Sequence, residues 1–486
     1  MASLSWTTIV VLASDWIIRI ALAVRVIMRR SSVPVSLAWL LILLFMPFAG
    51  IALYLLIGEN RLGQRRVQRY KRLSEEIDGE TVAMWRHHHL DWNPEEDSYR
   101  QAARMGSAVS GLPPLTGNAL ELLSDSATML DRLIADIDAA KHHCHLLYYI
   151  WMENSRGIDV AKAMMRAAQR GVQCRVIVDA VGSKPLLRSP LVERMREAGV
   201  RVLAALPVHP VRMLFARIDL RNHRKMAVID GRIGFAGSQN ITDETYKFNP
   251  RSGIGPWIDA TVRLEGPAAH ALQTVFLRDW LLDSEEEFES FESFFPEITP
   301  RREPGSVLHV IPSGPGTRLD AVHQSFLSTI YAAREELVIT TPYFVPDDAT
   351  KSALCMAAMR GVEVLVVVPE VLDAPLVAAA ARSHYLDLLD AGVEIHHYHA
   401  GLLHAKTMTA DRKLAIIGSA NVDMRSFWLN FEITLFIYDD DFSSLVRFMQ
   451  KDYLNKSRRV RRDEWVQRSI LLRFADNCAQ LASPLL

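Results

Sequence analysis

The chain has 486 residues, 49% of them apolar, a formal net charge of −1 and a mean hydropathy just above zero. That length leaves room for two or three domains with a sizeable core. The balanced charge excludes a disordered chain and argues against a strongly basic nucleic-acid binder.

Four cysteines, Cys144, Cys174, Cys355 and Cys478, lie far apart with no C-x-x-C pair. They read as buried thiols, and neither a zinc knuckle nor a disulfide framework is expected.

The amino-terminal end is dominated by apolar residues. Residues 7–28 and 35–57 each reach the roughly 20 residues that a bilayer-crossing helix needs. The first carries Asp15 and Arg19, four apart on one helix face and able to pair, as well as Arg25; a helix lying in the interface is its alternative. The second has no charge, and its Pro47 and Gly50 are tolerated in spanning helices. No small-residue cleavage site follows the first run, so a retained transmembrane hairpin over residues 1–60 is expected.

Residues 61–106 read as a basic and polar linker. Arg61, Arg65, Arg66, Arg69, Lys71 and Arg72 follow the second apolar run and place the rest of the chain in the cytoplasm, although Arg29 and Arg30 in the short loop argue the other way. Beside a bilayer such a cluster also attracts anionic lipid. His87, His88 and His89 have no second ligand cluster to accompany them, so no metal site is assigned there.

From there the pattern alternates helices with β-rich runs and then repeats. Ala167-Ala168-Gln169-Arg170-Gly171-Val172 before CRVIVDA matches Ala357-Ala358-Met359-Arg360-Gly361-Val362 before VLVVVPE, and Glu197-Ala198-Gly199-Val200 matches Asp390-Ala391-Gly392-Val393. A glycine closing a helix ahead of a β-branched strand, in series, predicts an α/β sandwich in two homologous halves, residues 107–300 and 301–486. The acidic stretch 283–305 reads as a solvated connector between them.

Each half carries the same polar signature. His223, Lys225 and Asp230, followed by Ser238 and Asn240, recur 181 positions later as His404, Lys406, Asp411, Ser419 and Asn421. Histidine and lysine two apart emerge on one face of a strand, and Asp230-Gly231 is a hairpin-turn signal. The second hairpin strand then brings Ser and Asn beside the same histidine.

This set suits a phosphodiester. Charge builds on its oxygens during attack, so cations and hydrogen-bond donors are needed around phosphorus, and Lys225, Lys406, Asn240 and Asn421 supply them. One histidine attacks as the neutral imidazole while the other, protonated, donates to the leaving alcohol, which requires the halves to face each other. Asp259 and Glu432, at strand starts, are suited to hold the far ring nitrogens. Asp230 and Asp411, at the turns, are counted with the histidines and lysines as catalytic residues, in an organising role with direct proton transfer as the alternative.

The duplicated H-x-K-x4-D with Gly-Ser-x-Asn resembles the phospholipase D superfamily. Over nearly all its length the chain is similar to the bacterial cardiolipin synthases: GENRLGQRR after the hairpin, YYIW at 148–151, TPYFVP at 341–346, NVDMRSFWLNFEITL at 421–435 and the ending SPLL. The resemblance implies an α/β fold of two phospholipase D-like halves in a bacterial inner-membrane enzyme. It also implies transphosphatidylation of two phosphatidylglycerol molecules to cardiolipin and glycerol through a phosphatidyl-histidine, without metal or other cofactor. His223 is expected to attack and His404 to move protons, with the exchanged assignment open. Anionic membrane lipids are the expected partners, nucleic acid is not, and self-association is left open. Residues 208–221 are a candidate lipid-access segment. Hydrolytic phospholipase D, transfer to another alcohol, and a nuclease are the alternatives.

Overall fold

The computed structural model describes residues 6–29, 33–59, 64–85, 99–207, 217, 219–247, 253–297, 305–315 and 320–481. The triple histidine, Arg61, most of the 208–221 segment and the SPLL ending lie outside them. The chain divides into two compact units, Met1–Val67 with Val208–Leu220, and Gln68–Pro207 with Arg221–Leu486.

In the first unit both expected apolar runs are helical, but the second is interrupted. Helix α1 runs Trp6–Met28, but the run 35–57 is two helices, α2 Val33–Phe45 and α3 Ala49–Ile57. None of the described helices is long and apolar enough to cross a membrane. Pro47 supplies no N–H and cannot continue the ladder, so the chain breaks there and strands backbone groups. The charges of α1 satisfy them: Arg19 donates to Leu44 O at 3.0 Å, and the Asp15 carboxylate accepts from Phe48 N at 3.2 Å. Asp15 and Arg19 also pair with each other. Both are buried, while Trp6, Ile17 and Phe45 are more than two-thirds exposed.

The second unit is built on nineteen described strands, fifteen of them in one sheet. The first half supplies β1 Leu115–Leu123, β2 His143–Tyr148, β3 Gln173–Asp179, β4 Arg201–Ala205, β5 Lys225–Ile229, β6 Ile233–Gly237, β7 Trp257–Ile258 and β8 Thr261–Glu265. The second supplies β9 Ser306–Ser313, β10 Glu336–Thr340, β11 Phe344–Val345, β12 Glu363–Pro369, β13 Glu394–Tyr398, β14 Leu402–Leu403, β15 Thr407–Ala410, β16 Leu414–Gly418, β17 Val422–Asp423, β18 Glu432–Tyr438 and β19 Ser457–Arg459.

The sheet order is β19-β13-β12-β10-β15-β16-β18-β9-β1-β8-β6-β5-β2-β3-β4. Read outward from the β9–β1 junction, the two halves run through equivalent strands, so the duplication in sequence is a duplication in space. Strands β2 to β4 are parallel and joined by helices, and the motif hairpin β5–β6 is antiparallel.

Each half covers one face of the sheet with its own helices. Leu130, Val160 and Met164 pack on Val176 and Ala227 in the first half, and Val322, Leu354 and Leu388 pack on Val366 and Ile416 in the second. The other face is shared. There the helix Pro267–Asp283, whose side chains are buried up to Leu282, lies in one core with Met226 and Val262 of the first half and Ala415, Ile433 and Val446 of the second. Burying each large aliphatic side chain contributes about 2 kcal/mol, so separating the halves would expose a substantial apolar surface.

The stretch 283–305 is not a solvated connector as far as it is described. Phe291, Phe294 and Phe295 enter the shared core, and Glu286 receives Arg175 at 2.6 Å and the Trp280 indole at 2.8 Å. Phenylalanines alternating with glutamates bury one set and leave most of the other at the surface, a pattern that an acidic composition conceals.

Candidate active site

The two motif segments arrive at the same place by matching routes. His223 N donates to Phe431 O, and Phe431 N to Arg221 O, so the segment entering β5 pairs with the residue just before Glu432. Likewise β14 pairs in parallel with β7, and His404 N donates to Ile258 O, just before Asp259. Each histidine is therefore laid beside the carboxylate of the opposite half.

The side chains complete that crossing. His223 Nδ1 lies 3.0 Å from both Glu432 oxygens, and His404 Nδ1 lies 2.7 Å from Asp259 Oδ1. Each carboxylate also receives the serine of its own half, Ser419 to Glu432 at 2.5 Å and Ser238 to Asp259 at 2.6 Å. The buried Arg224 donates to Glu432 O and Ser313 O and pairs with Asp279, tying the first motif to the strands of the second half.

Burial drives the protonation states. Desolvation brings both His223 and His404 down to about 4, against the pull of their carboxylates. Burial alone would raise Asp259, but His404, Lys406 and Ser238 bring it down to about 2; Glu432 is likewise held low by His223, Lys225 and Ser419 against its burial. At neutral pH the imidazoles are neutral and the carboxylates ionised. A carboxylate can only accept, so each Nδ1 carries the proton and each Nε2 keeps its lone pair.

The lysines are buried with them. Lys225 Nζ donates to His223 O at 2.7 Å and Lys406 Nζ to His404 O at 2.5 Å. Desolvation pushes Lys225 well below the ordinary lysine range and Lys406 down to about 8. Lys406 depresses His223 across the halves, and Lys225 depresses His404, so all four groups share one electrostatic site.

Asn240 accepts from Ile150 N at 3.1 Å, leaving its buried Nδ2 without a partner; Asn421 donates its backbone N–H to Ser426, and its buried Oδ1 is unpartnered. An unpaired buried donor costs about 1–3 kcal/mol unless a ligand completes it, and an anion can.

Asp230 and Asp411 are held elsewhere. A strand rising about 3.3 Å per residue carries each roughly 20 Å from its histidine. Asp230 accepts from Lys141, His142 and His143 N–H groups at 2.7–2.8 Å, and Asp411 from Arg334, Glu335 and Glu336 N–H groups and from Tyr99 OH. Both sit at positive φ, 51° and 52°, where a short polar side chain is tolerated.

Close strand approach explains the glycine of Gly-Ser-x-Asn. A Cβ at Gly237 would meet Ala260 O at 2.3 Å, and one at Gly418 would meet Ile433 O at 2.5 Å. Only glycine lets β6 and β16 deliver the serines to the carboxylates.

Three contacts had no signal in the motif spacing. Tyr149 meets His223 edge-on with centroids 4.8 Å apart, Trp257 stacks on His404 at 4.3 Å and 27°, and Asn430 donates to Glu432 at 3.2 Å. Trp257 and Asn430 each stand two residues before a carboxylate, which is the regularity that would have found them. Among the described residues no cluster of three or more His, Cys, Asp or Glu could hold a metal.

Residues 133–280 and 326–452 match the family described as "Cardiolipin synthase, PLD-like domain", and residues 17–59 match "Phospholipase D-nuclease N-terminal". Cardiolipin synthase A of Erwinia tasmaniensis is 39% identical over 482 residues, covering 97% of each chain. The enzyme of that name from Klebsiella pneumoniae subsp. pneumoniae is 39% identical over 490 residues, 98% of each. The crystal structure of phosphatidylserine synthase from Haemophilus influenzae Rd KW20 aligns with a TM-score of 0.59 at 15% identity, covering 79% of this chain and 100% of that one, which shows a common fold.

Proposed function

The chain belongs to the cardiolipin synthase family of phospholipase D-like phosphatidyltransferases, and we propose that it makes cardiolipin from two phosphatidylglycerol molecules through a phosphatidyl-histidine. The observation that carries this reading is the crossed pairing, which gives one enclosed site two neutral imidazoles with free Nε2 atoms.

His223 Nε2 attacks phosphorus and His404 protonates the departing glycerol. The proton is taken up as the anionic phosphate arrives, because an anion beside an imidazole favours its charged form. Lys225, Lys406 and the Asn240 amide hold the phosphoryl oxygens, and the incoming charge restores the lysines' protons. In the second step the glycerol hydroxyl of another lipid attacks, and His404 takes its proton. Glu432 and Asp259 fix the tautomers with Ser419 and Ser238, Asn421 supports the second half-site, and Asp230 and Asp411 anchor the hairpins. One phosphodiester replaces another, so the exchange needs no nucleotide or redox cofactor.

The first unit supports a bacterial inner-membrane location, multi-pass, with the catalytic body in the cytoplasm. Many of its apolar residues face outward while Asp15, Arg19 and Glu59 are buried, an arrangement suited to lipid surroundings, and Asp15 and Arg19 close the backbone of the broken helix. Retention of the full chain in the membrane fraction after an alkaline wash is expected; release into the supernatant would overturn this placement.

Purified protein given phosphatidylglycerol is expected to release glycerol and form cardiolipin, with His223→Ala and His404→Ala inactive. Phosphatidic acid as the dominant product would favour hydrolytic phospholipase D instead.

A further inference from the structure

The two half-sites are not equivalent at the position two residues before the carboxylate. In the second half that position is Asn430, whose amide donates to Glu432 Oε1. Glu432 is thereby fully engaged, with His223 and Asn430 on Oε1 and His223 and Ser419 on Oε2.

In the first half the position is Trp257. Its indole lies over the His404 imidazole with centroids 4.3 Å apart, and it is 5% exposed in a cluster with Ile150 and Leu402. Trp257 makes no hydrogen bond to Asp259, so Asp259 Oδ2 is buried without a partner, and so is the indole Nε1. Beside His404 there are thus an unused donor and an unused acceptor against an apolar wall, whereas at the equivalent position of the second half the Asn430 amide nitrogen is spent on Glu432 and only its Oδ1 is without a partner.

An attacking hydroxyl gives its proton to His404 Nε2 and needs a donor for its remaining lone pair, and an apolar wall keeps loose water from the imidazole. We propose that Trp257 lines the subsite for the attacking alcohol, covering His404 from water and offering its indole N–H to the incoming glycerol, so that it sets the partition between transfer and hydrolysis. This rests on the cardiolipin synthase reading above. In the step concerned, the alcohol oxygen forms the new P–O bond as the P–N bond to His223 breaks. The bonding pair returns to Nε2, and the hydroxyl proton passes to His404 Nε2. Water in the same place gives phosphatidic acid by identical bookkeeping, so only its exclusion and the alcohol's positioning separate the products.

The test uses the full-length protein in detergent micelles with phosphatidylglycerol, following glycerol release as a measure of the first step and cardiolipin against phosphatidic acid as the partition. Trp257→Phe keeps a stacking ring and loses the N–H; Trp257→Leu loses both. Loss of one hydrogen bond predicts a shift in the product ratio towards phosphatidic acid of roughly three- to ten-fold in Trp257→Phe, and a larger one in Trp257→Leu. A partition unchanged in both variants, whether activity is kept or falls in parallel with melting temperature, would overturn the proposal. If the parent protein itself makes no cardiolipin, it is the broader reading that fails.

Discussion

His223 and Glu432 stand 209 residues apart in the chain and 3.0 Å apart in the site, with Glu432 holding the imidazole Nδ1 of the opposite half. The reciprocal pair, His404 and Asp259, closes the same exchange in the other direction. Neither half can therefore orient its own histidine.

Removing the charge from either carboxylate tests that dependence. Glu432→Gln and Asp259→Asn should each lower kcat by roughly 10³-fold with little change in KM, because a neutral amide allows the wrong tautomer while leaving the binding groups in place. Steady-state kinetics with phosphatidylglycerol checks this; a rise in KM alone would show that the carboxylates bind substrate.

Asp230 and Asp411 should behave differently from the other motif residues. Asp230→Ala strips acceptors from three backbone N–H groups and should cost about 2–4 kcal/mol of stability, lowering the melting temperature. The fraction that remains folded should retain its turnover, measured as activity per active site.

Acid should unfold the second unit through its buried histidines. His143, His223, His309, His384, His397 and His404 are held at about 4, desolvation being the chief cause in each. Their folded values lie below the unfolded value near 6.5, so the unfolded chain binds more protons between those limits. Stability is then full above about pH 7 and falls as pH drops towards 4, by up to roughly 1 kcal/mol per group per pH unit. Denaturant titrations at pH 7.5, 6 and 5 measure the slope. At the other end, kcat/KM, which reports the free enzyme, should decline above about pH 8 as Lys406 loses its proton.

Gly237→Ala and Gly418→Ala should both be poorly tolerated. The new methyl meets the backbone of the next strand, which cannot move without shifting the carboxylate. Each should reduce soluble yield or activity more than Gly79→Ala, where a Cβ meets nothing within 4 Å.

Much of this was legible in the residues. The constant spacing from His223 to His404 and from Asn240 to Asn421 announced the duplication, and the equivalent strands on either side of the β9–β1 junction realise it. The crossing of Asp259 and Glu432 was not legible, because spacing within a half is silent on how the halves dock. Trp257 escaped notice because a tryptophan beside a strand usually packs in a core, and this one also does. The run at Pro47 was read as continuous because a proline is tolerated within a spanning helix, and the buried phenylalanines near 291–295 were hidden by the glutamates between them.

The most direct measurement is to quench the full-length protein during turnover with phosphatidylglycerol and map the lipid-linked phosphohistidine by mass spectrometry. Since Glu432 occupies Nδ1 of His223, the adduct should be found on His223 through Nε2, and it should disappear in His223→Ala. An adduct on His404, or turnover that persists in His223→Ala, would contradict the account.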